Sequence, residues 1–142
     1  MKSEGDFYLE KLYKLAVKAA KNGDIPVSAI IIQNNKILSL GYNNRHKKGF
    51  VIGHAEVNAI LRAEKKLNDF RLDNCILITT LKPCKMCAAI IEAARIKKVY
   101  YLLDQKSSES YPQVSFEQLL INESKMAQKY QQLFTSFFEN MR

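Results

Sequence analysis

Two short motifs, far apart in the sequence, place the strongest constraint on how this 142-residue chain can fold. The first is the triplet His54–Glu56, and the second is the Pro-Cys-Lys-Met-Cys segment Pro83–Cys87. Together they supply one imidazole and two thiols, which are zinc ligands, and one carboxylate that is not needed as a ligand. A structural zinc site is closed by four protein ligands, whereas a catalytic site keeps one position for water. Three ligands beside an acid therefore predict metal-activated water.

The positions of these residues on predicted helices explain how they can converge. Cys84 and Cys87 are three residues apart and share one helix face, and Pro83 suits the first turn of a helix. His54 and Glu56 are two residues apart, which puts them on different sides of a regular helix. They converge only if the ion lies off the N-terminal end of that helix.

Each motif alone is compatible with an ordinary structural role. A C-x-x-C pair is often two small buried residues or a redox pair. A redox pair, however, leaves His54 and Glu56 without a role. A closed structural zinc site would need a fourth ligand, and only His46 or Cys75 is spare, neither at the usual ligand spacing. A zinc-stabilised binding module without catalysis is therefore the less favoured alternative.

Helices and strands alternate along the sequence. Helical spacing, an N-cap at Asp6 and a stop at Gly23 predict a first helix over 6–22. Apolar runs predict strands over 27–32, 36–40, 75–80 and 99–103, with a tight turn at Asn34-Asn35 between the first two. Further helices are predicted over 54–66, over 83–95 and, in two pieces, over 114–142, with polar loops over 41–53 and 106–113. This order predicts an α/β fold, a three-layer α/β/α sandwich with a mixed central sheet.

Composition restricts the class of partner and the compartment. Lys and Arg number 22 against 14 Asp and Glu, and the net charge of +8 favours an anionic partner such as a nucleic acid. No apolar run approaches the roughly 20 residues that span a bilayer, so no membrane partner is expected. The polar N-terminus does not resemble a secretory signal, and assigning two cysteines to metal leaves Cys75 as an odd thiol. These features predict a reducing cytoplasm.

Several further segments identify a family. They are Ile25–Ala29, Tyr42-Asn43, Thr80–Ala88, Arg95-Ile96 with Val99, and Phe137-Phe138 with Arg142. With the two motifs, they resemble the bacterial-type tRNA-specific adenosine deaminases of the cytidine deaminase-like superfamily over most of the chain. The chain departs from that pattern at four places: Ser28 replaces Gly, Lys82 replaces Glu, Phe50–Gly53 replaces D-P-T-A, and Leu102–Gln105 lacks a Gly-Ala segment.

The resemblance implies a mechanism and a role for each site residue. One zinc-dependent deaminase domain with a cytidine deaminase-like fold is expected over residues 1–142. His54, Cys84 and Cys87 would hold one Zn²⁺, and Glu56 would move protons between the attacking water and the base. The base would be contacted by Asn43, Val27 and the backbone N–H of Ala55, and RNA phosphates by Arg45, Lys47 and Lys48.

The implied substrate is the wobble adenosine of a tRNA anticodon stem-loop, with an arginine tRNA of anticodon ACG as the family expectation, and the implied assembly is a homodimer. A deaminase of free bases or nucleosides, of guanine or cytosine type, shares every zinc residue and is the main alternative. The positive charge and the Phe137-Phe138 terminus favour RNA.

Overall fold

The fold is built on a mixed β-sheet, seen in a computed structural model that describes residues 4–105, 111–119 and 125–140. The described helices are α1 (Glu4–Lys21), α2 (Arg45–Lys48), α3 (Ala55–Leu67), α4 (Lys85–Ala93) and α5 (Lys125–Asn140). The described strands are β1 (Ser28–Gln33), β2 (Lys36–Tyr42), β3 (Cys75–Leu81), β4 (Lys98–Leu103) and β5 (Ser115–Gln118). The sheet order is β2-β1-β3-β4-β5, with β1 antiparallel to both neighbours and β3, β4 and β5 parallel.

Both faces of the sheet are covered by helices, as the sequence predicted. Along β1, Ala29 and Ile31 pack in one apolar cluster with residues of α3 and α4. Ile30 and Ile32, which point to the opposite face because strand side chains alternate, pack with Leu12 of α1. Helix α5 adds Ala127 and Tyr130 to that second face, beside Leu102 of β4. The predicted three-layer α/β/α sandwich is confirmed.

Helix α3 lies unusually close to β2, and Gly41 makes that approach possible. A Cβ atom at position 41 would lie 2.2 Å from the carbonyl oxygen of Ala55 and 2.7 Å from the backbone nitrogen of Ala59. The hydroxyl of Ser39 also donates a hydrogen bond to the Ala59 carbonyl at 2.7 Å. These contacts fix the N-terminal end of α3, where the first sequence motif lies.

Several local predictions are confirmed and two are wrong. Gly23 ends α1 with a φ of 80°, and Asn34 and Asn35 form the predicted turn with φ of 52° and 62°. Asp6 is not an N-cap but lies inside α1, whose first turn favours an acidic side chain. Pro83 is not in the first turn of α4, because Cys84 keeps extended backbone angles and the helix begins after it.

The C-terminal third differs from the prediction of two helical pieces. Residues Ser115–Gln118 form β5, and a single described helix, α5, follows. Strand β5 pairs with β4, for example Phe116 with Val99. Its four residues are too few to show the hydrophobic alternation that predicts a strand. The segment 41–53 also differs, since it contains the end of β2 and the short helix α2. Residues 106–110 of the predicted loop, and Arg142, lie outside the described residues.

None of the helices in the described ranges is long and apolar enough to cross a membrane.

Candidate metal centre and active site

Two helices each present a candidate ligand at the residue that precedes their first turn. His54 is the N-cap of α3 and Cys84 is the N-cap of α4, both with extended backbone angles. Neither side chain caps its own helix by a hydrogen bond. The imidazole and the thiol are therefore not used as helix caps and remain available to a metal.

The three predicted ligands meet at one point. The Nδ1 atom of His54 lies 3.4 Å from Sγ of Cys87 and 3.8 Å from Sγ of Cys84, and all three ligand atoms lie within 4.8 Å of one another. Zinc bonds of about 2.0–2.3 Å in a tetrahedron separate neighbouring ligand atoms by about 3.4–3.8 Å. The donor set and its spacing therefore fit one zinc ion, with Nδ1 as the imidazole ligand.

The two thiols are in different protonation environments. Hydrogen bonds from Cys87 and His54 lower the pKa of Cys84 to about 3, and the hydrogen bond to Cys84 raises the pKa of His54. The pKa of Cys87 is raised, first because its thiol donates to Cys84 and then because it is buried. Zinc binds thiolates, so an ion at this site would displace any proton that the two thiols carry.

Glu56 places a buried carboxyl beside the three ligands. Its residue is only 4% exposed, and burial raises the pKa of the carboxyl to about 7. A hydrogen bond from the backbone N–H of Glu56 itself lowers this pKa in part, whereas the negative charge of Cys84 raises it further. A group with a pKa near the working pH can both accept and donate a proton, as general acid–base catalysis requires.

The predicted base-binding residues lie next to one another at the start of α3. The Oδ1 atom of Asn43 accepts a hydrogen bond from the backbone N–H of Ala55 at 2.8 Å. The backbone N–H of Asn43 donates to the carbonyl of Val27 at 3.0 Å. Asn43 and Val27 are buried, at 7% and 5% exposed. Within the described residues, the Nδ2 group of Asn43 has no hydrogen-bond partner.

The predicted phosphate contacts all lie on α2, together with His46. The four side chains of this helix are exposed. Cys84 raises the pKa of His54, and the positive charge of Arg45 lowers it. Sequence reasoning missed the residue that fixes α2, which is Asp24. Its Oδ1 atom accepts the backbone N–H of His46 at 2.9 Å, although Asp24 is only 1% exposed. The available signal for a structural role of Asp24 was a single acidic residue directly after the Gly23 turn in a basic chain.

Two departures from the family pattern meet beside the second motif. The Nζ atom of Lys82 lies 3.8 Å from Oδ1 of Asp104, and the backbone N–H of Lys82 donates to the carbonyl of Leu103 at 2.8 Å. Asp104 is 56% exposed in its side chain, so this ion pair is weak. The positive charge beside the candidate metal site is nevertheless partly balanced.

Known proteins similar to this chain share both its sequence and its fold. The family model of the cytidine and deoxycytidylate deaminase zinc-binding region matches residues 2–103. A tRNA-specific adenosine deaminase of Buchnera aphidicola is 31% identical, in an alignment that covers 100% of this chain and 99% of the relative.

Two solved structures extend the comparison. One comes from a study of A-to-I editing by tRNA:A34 deaminases at the wobble position; its TM-score is 0.75 at 25% identity, covering 82% of this chain and 100% of the other. A guanine deaminase of Bacillus subtilis gives a TM-score of 0.66 at 26% identity, covering 95% of each chain.

Proposed function

The chain belongs to the cytidine and deoxycytidylate deaminase family, and we propose that it converts adenosine to inosine at the wobble position of a tRNA anticodon by zinc-dependent hydrolysis. The observation that carries this proposal is the buried Glu56 carboxyl beside an incomplete set of three metal ligands. A structural zinc site has no use for a buried carboxyl that is not a ligand, whereas a hydrolytic site needs a group that moves protons.

Each step of the proton movement can be assigned to Glu56. His54, Cys84 and Cys87 would hold the zinc ion, which would supply the Lewis acid that makes water a nucleophile near neutral pH. The Glu56 carboxylate accepts the proton that water loses on attacking C6 of the purine, and it delivers this proton to N1. The same carboxylate then accepts the proton of the hydroxyl on C6 and passes it to the amino group; the C6–N bond breaks as the C6=O bond forms, so that adenosine and water give inosine and ammonia.

Recognition of the base is assigned to the residues beside Glu56. The Nδ2 group of Asn43 is a donor held in place by the bond from its Oδ1 to Ala55, and it can donate to an acceptor on the purine. Val27 packs against the face of the base. Because the N–H of Ala55 already donates to Asn43, its contact with the base is a shared hydrogen bond. This arrangement positions the purine before any chemistry begins.

A tRNA substrate is supported by charge and by relatives. The Buchnera relative is a tRNA-specific adenosine deaminase over the full length of this chain. The net charge of +8 and the exposed α2 helix suit a phosphate backbone, with Arg45, Lys47 and Lys48 as the contacts. An anticodon loop is single-stranded, so its base can be turned out at a cost of only a few kcal/mol. An arginine tRNA with anticodon ACG is the specific substrate we expect.

A deaminase of a free base is the second candidate, and one observation favours it. The guanine deaminase of Bacillus subtilis matches more of this chain than the tRNA:A34 deaminase structure does, although with a lower TM-score. Its substrate would need no basic surface. The surplus of positive charge, including the four adjacent basic side chains of α2, therefore favours the RNA substrate.

The assembly, the domain and the location are also proposed. A groove of about 240 Å³ between α3 and α4 is lined by apolar side chains that include Leu61 and Phe70, which are 53% and 55% exposed. We place the homodimer contact there, since a partner would bury both side chains.

One domain over residues 1–142 agrees with a family model that spans 2–103. All three cysteines are free thiols, which suits a cytoplasmic location.

The test of this function is the appearance of inosine. Zinc-loaded protein is incubated with an unmodified tRNA that carries adenosine at the wobble position, and inosine is quantified after digestion to nucleosides. Inosine at that position supports the proposal. If the protein deaminates guanine but forms no inosine in any tRNA with a wobble adenosine, the chain would be assigned to the free-base deaminases.

A further inference from the structure

The loop before the first metal ligand exposes three consecutive apolar side chains. Phe50, Val51 and Ile52 are 63%, 69% and 49% exposed. They stand where the resembled family has D-P-T, so they are a feature of this chain. A run of three exposed apolar residues is a defect in a protein surface unless it has a function. We call these three residues the apolar loop patch.

Hydrogen bonds hold the backbone of the apolar loop patch. The N–H of Gly53 donates to the carbonyl of Phe50 at 3.0 Å, and the N–H of His54 donates to the carbonyl of Ile52 at 2.8 Å. The carbonyl of Gly53 accepts the N–H of Asn44 at 2.8 Å, which ties the loop to the start of α2. A Cβ atom at position 53 would lie only 2.6 Å from Oδ1 of Asn44, so the packing there is tight. A ligand would therefore meet a preformed surface and lose little binding energy to ordering it.

The surroundings of the patch define the chemistry of its ligand. In the chain, the patch lies between the basic helix α2 and the candidate metal ligand His54. Across residues 4–105, 111–119 and 125–140, no other ring or cation stacks on the ring of Phe50. A ligand that suits an exposed aromatic face beside several cations is flat, apolar on its faces and negatively charged. Single-stranded RNA has these properties, and its bases stack on aromatic side chains.

A second copy of this chain suits the patch less well. In a twofold contact the same surface is used by both copies, so two α2 helices would approach each other. Each carries Arg45, Lys47 and Lys48, and like charges brought together oppose association.

We infer that Phe50 is a stacking platform for a nucleobase of the anticodon loop that flanks the deaminated adenosine, with Val51 and Ile52 packing beside it and the cations of α2 contacting the adjoining phosphates. This inference rests on the proposed function, because it takes the flipped adenosine to lie at Glu56. It adds a specificity element: a base next to the target is bound by its face and not read by its edge.

Binding to a wobble-adenosine RNA stem-loop tests the platform directly. It is measured by fluorescence anisotropy on zinc-loaded, full-length Glu56→Ala protein, in which no turnover disturbs the equilibrium. Adding Phe50→Ala is expected to raise Kd by about 5- to 160-fold, the range for loss of one stacked base. Phe50→Trp should keep the affinity, and Phe50→Leu, which is apolar but has no ring, should lose it. Phe7→Ala is the matched control, since Phe7 is 49% exposed on α1, and it should leave Kd unchanged.

Abasic substrates show whether the contact is with a base. The stem-loop is made without a base at the position 5′ or 3′ of the target adenosine. For one of these RNAs we expect the protein with Phe50 to bind more weakly, and Phe50→Ala to cause no further loss. The inference is overturned if Phe50→Ala leaves Kd unchanged. It is also overturned if Phe50→Ala weakens binding to both abasic RNAs as much as it weakens binding to the intact RNA.

Sedimentation distinguishes a base-stacking platform from a contact between two copies of this chain. Phe50→Ala should sediment like the parent protein; a fall in mass with an unchanged Kd would show that the patch binds a second copy, and would overturn the inference. The proposed function fails separately, in wild-type protein that makes no inosine. The platform is measured by binding alone, so the two failures can be distinguished.

Discussion

The side chain of Asn43 and the backbone of Ala55 are joined by a hydrogen bond of 2.8 Å, with Oδ1 accepting the N–H. Ala55 lies between the candidate metal ligand His54 and the buried acid Glu56. The bond therefore ties the end of β2 to the first residue of α3 and fixes the part of the chain that holds both candidate functional side chains. The sequence predicted that both groups contact the base, which stays a prediction; in the structure they contact each other.

Replacing Asn43 should affect stability and catalysis separately. Asn43→Ala removes the acceptor for Ala55, which should cost about 1 kcal/mol of unfolding free energy, as for other helix N-terminal acceptors. It also removes the Nδ2 donor, so kcat/KM should fall about 100-fold while zinc content stays near one per chain. Asn43→Asp keeps the acceptor for Ala55 but not the Nδ2 donor. Its kcat/KM should therefore fall, while its free energy of unfolding stays close to that of the parent protein.

Asn58 provides the matched control for this prediction. Its Nδ2 group donates to the carbonyl of Tyr42 at 2.9 Å and to Oδ1 of Asn44 at 3.0 Å, both within the protein. Asn58→Ala should lower the melting temperature with little change in kcat. A fully active Asn43→Ala variant would contradict the assignment of Asn43 to the base.

Metal content should depend on two of the three cysteines. Cys84→Ser should lose zinc, because its thiol is one of three ligand atoms that lie within 4.8 Å of one another. Cys75→Ser should keep zinc, since Cys75 is a buried residue of β3 outside that group. Elemental analysis of purified variants measures both. Loss of zinc from Cys75→Ser would mean a closed site with a fourth ligand.

Gly41 should be intolerant of any side chain. Gly41→Ala would place a methyl group 2.2 Å from the Ala55 carbonyl oxygen, so α3 must move away from β2. We expect a loss of about 1–3 kcal/mol of unfolding free energy, together with weaker zinc binding because His54 moves with the helix. Thermal denaturation and a zinc competition assay measure the two effects. Gly5→Ala, at an exposed position in α1, should instead stabilise the protein by up to about 1 kcal/mol.

The cations of α2 should contribute to the salt dependence of tRNA binding. With Lys47 and Lys48 both changed to Ala, the slope of log K against log salt should become shallower by about 1.4–1.8, at 0.7–0.9 per phosphate contact. Lys97 and Lys98 form a control pair: both are exposed at the amino end of β4, whereas the site follows the carboxyl end of the parallel β3. An equal change of slope for both pairs would show that binding is not directed to α2.

The sequence predicted the layers of the fold because hydrophobic patterns are local. Apolar runs marked β1, β2, β3 and β4, and Gly23 and the Asn34-Asn35 turn marked where α1 ends and β1 turns. Strand β5 was missed because it depends on pairing with β4. The closeness of α3 to β2 was missed as well, since nothing in a lone Gly41 reveals which backbone approaches it.

The three ligands and Glu56 could be predicted because their residue types and spacing are tied to zinc chemistry. Their supports could not, since Asp24 holds α2 across a gap of 22 residues. The same is true of Lys82, which stood alone as a departure from the family pattern until the structure placed it beside Asp104. Contacts between residues distant in sequence have no local signature.

The most direct test of the central claim compares substrates on one preparation of zinc-loaded protein. kcat/KM is measured for an anticodon stem-loop with a wobble adenosine, for the same stem-loop with guanosine at that position, and for free adenosine, adenine, guanine and cytidine. We predict inosine formation only from the wobble adenosine. Glu56→Ala should keep its zinc and lose at least about 100-fold in rate, as expected when a general acid–base is removed. Turnover of a free base or nucleoside, with none on the stem-loop, would contradict the assignment to tRNA.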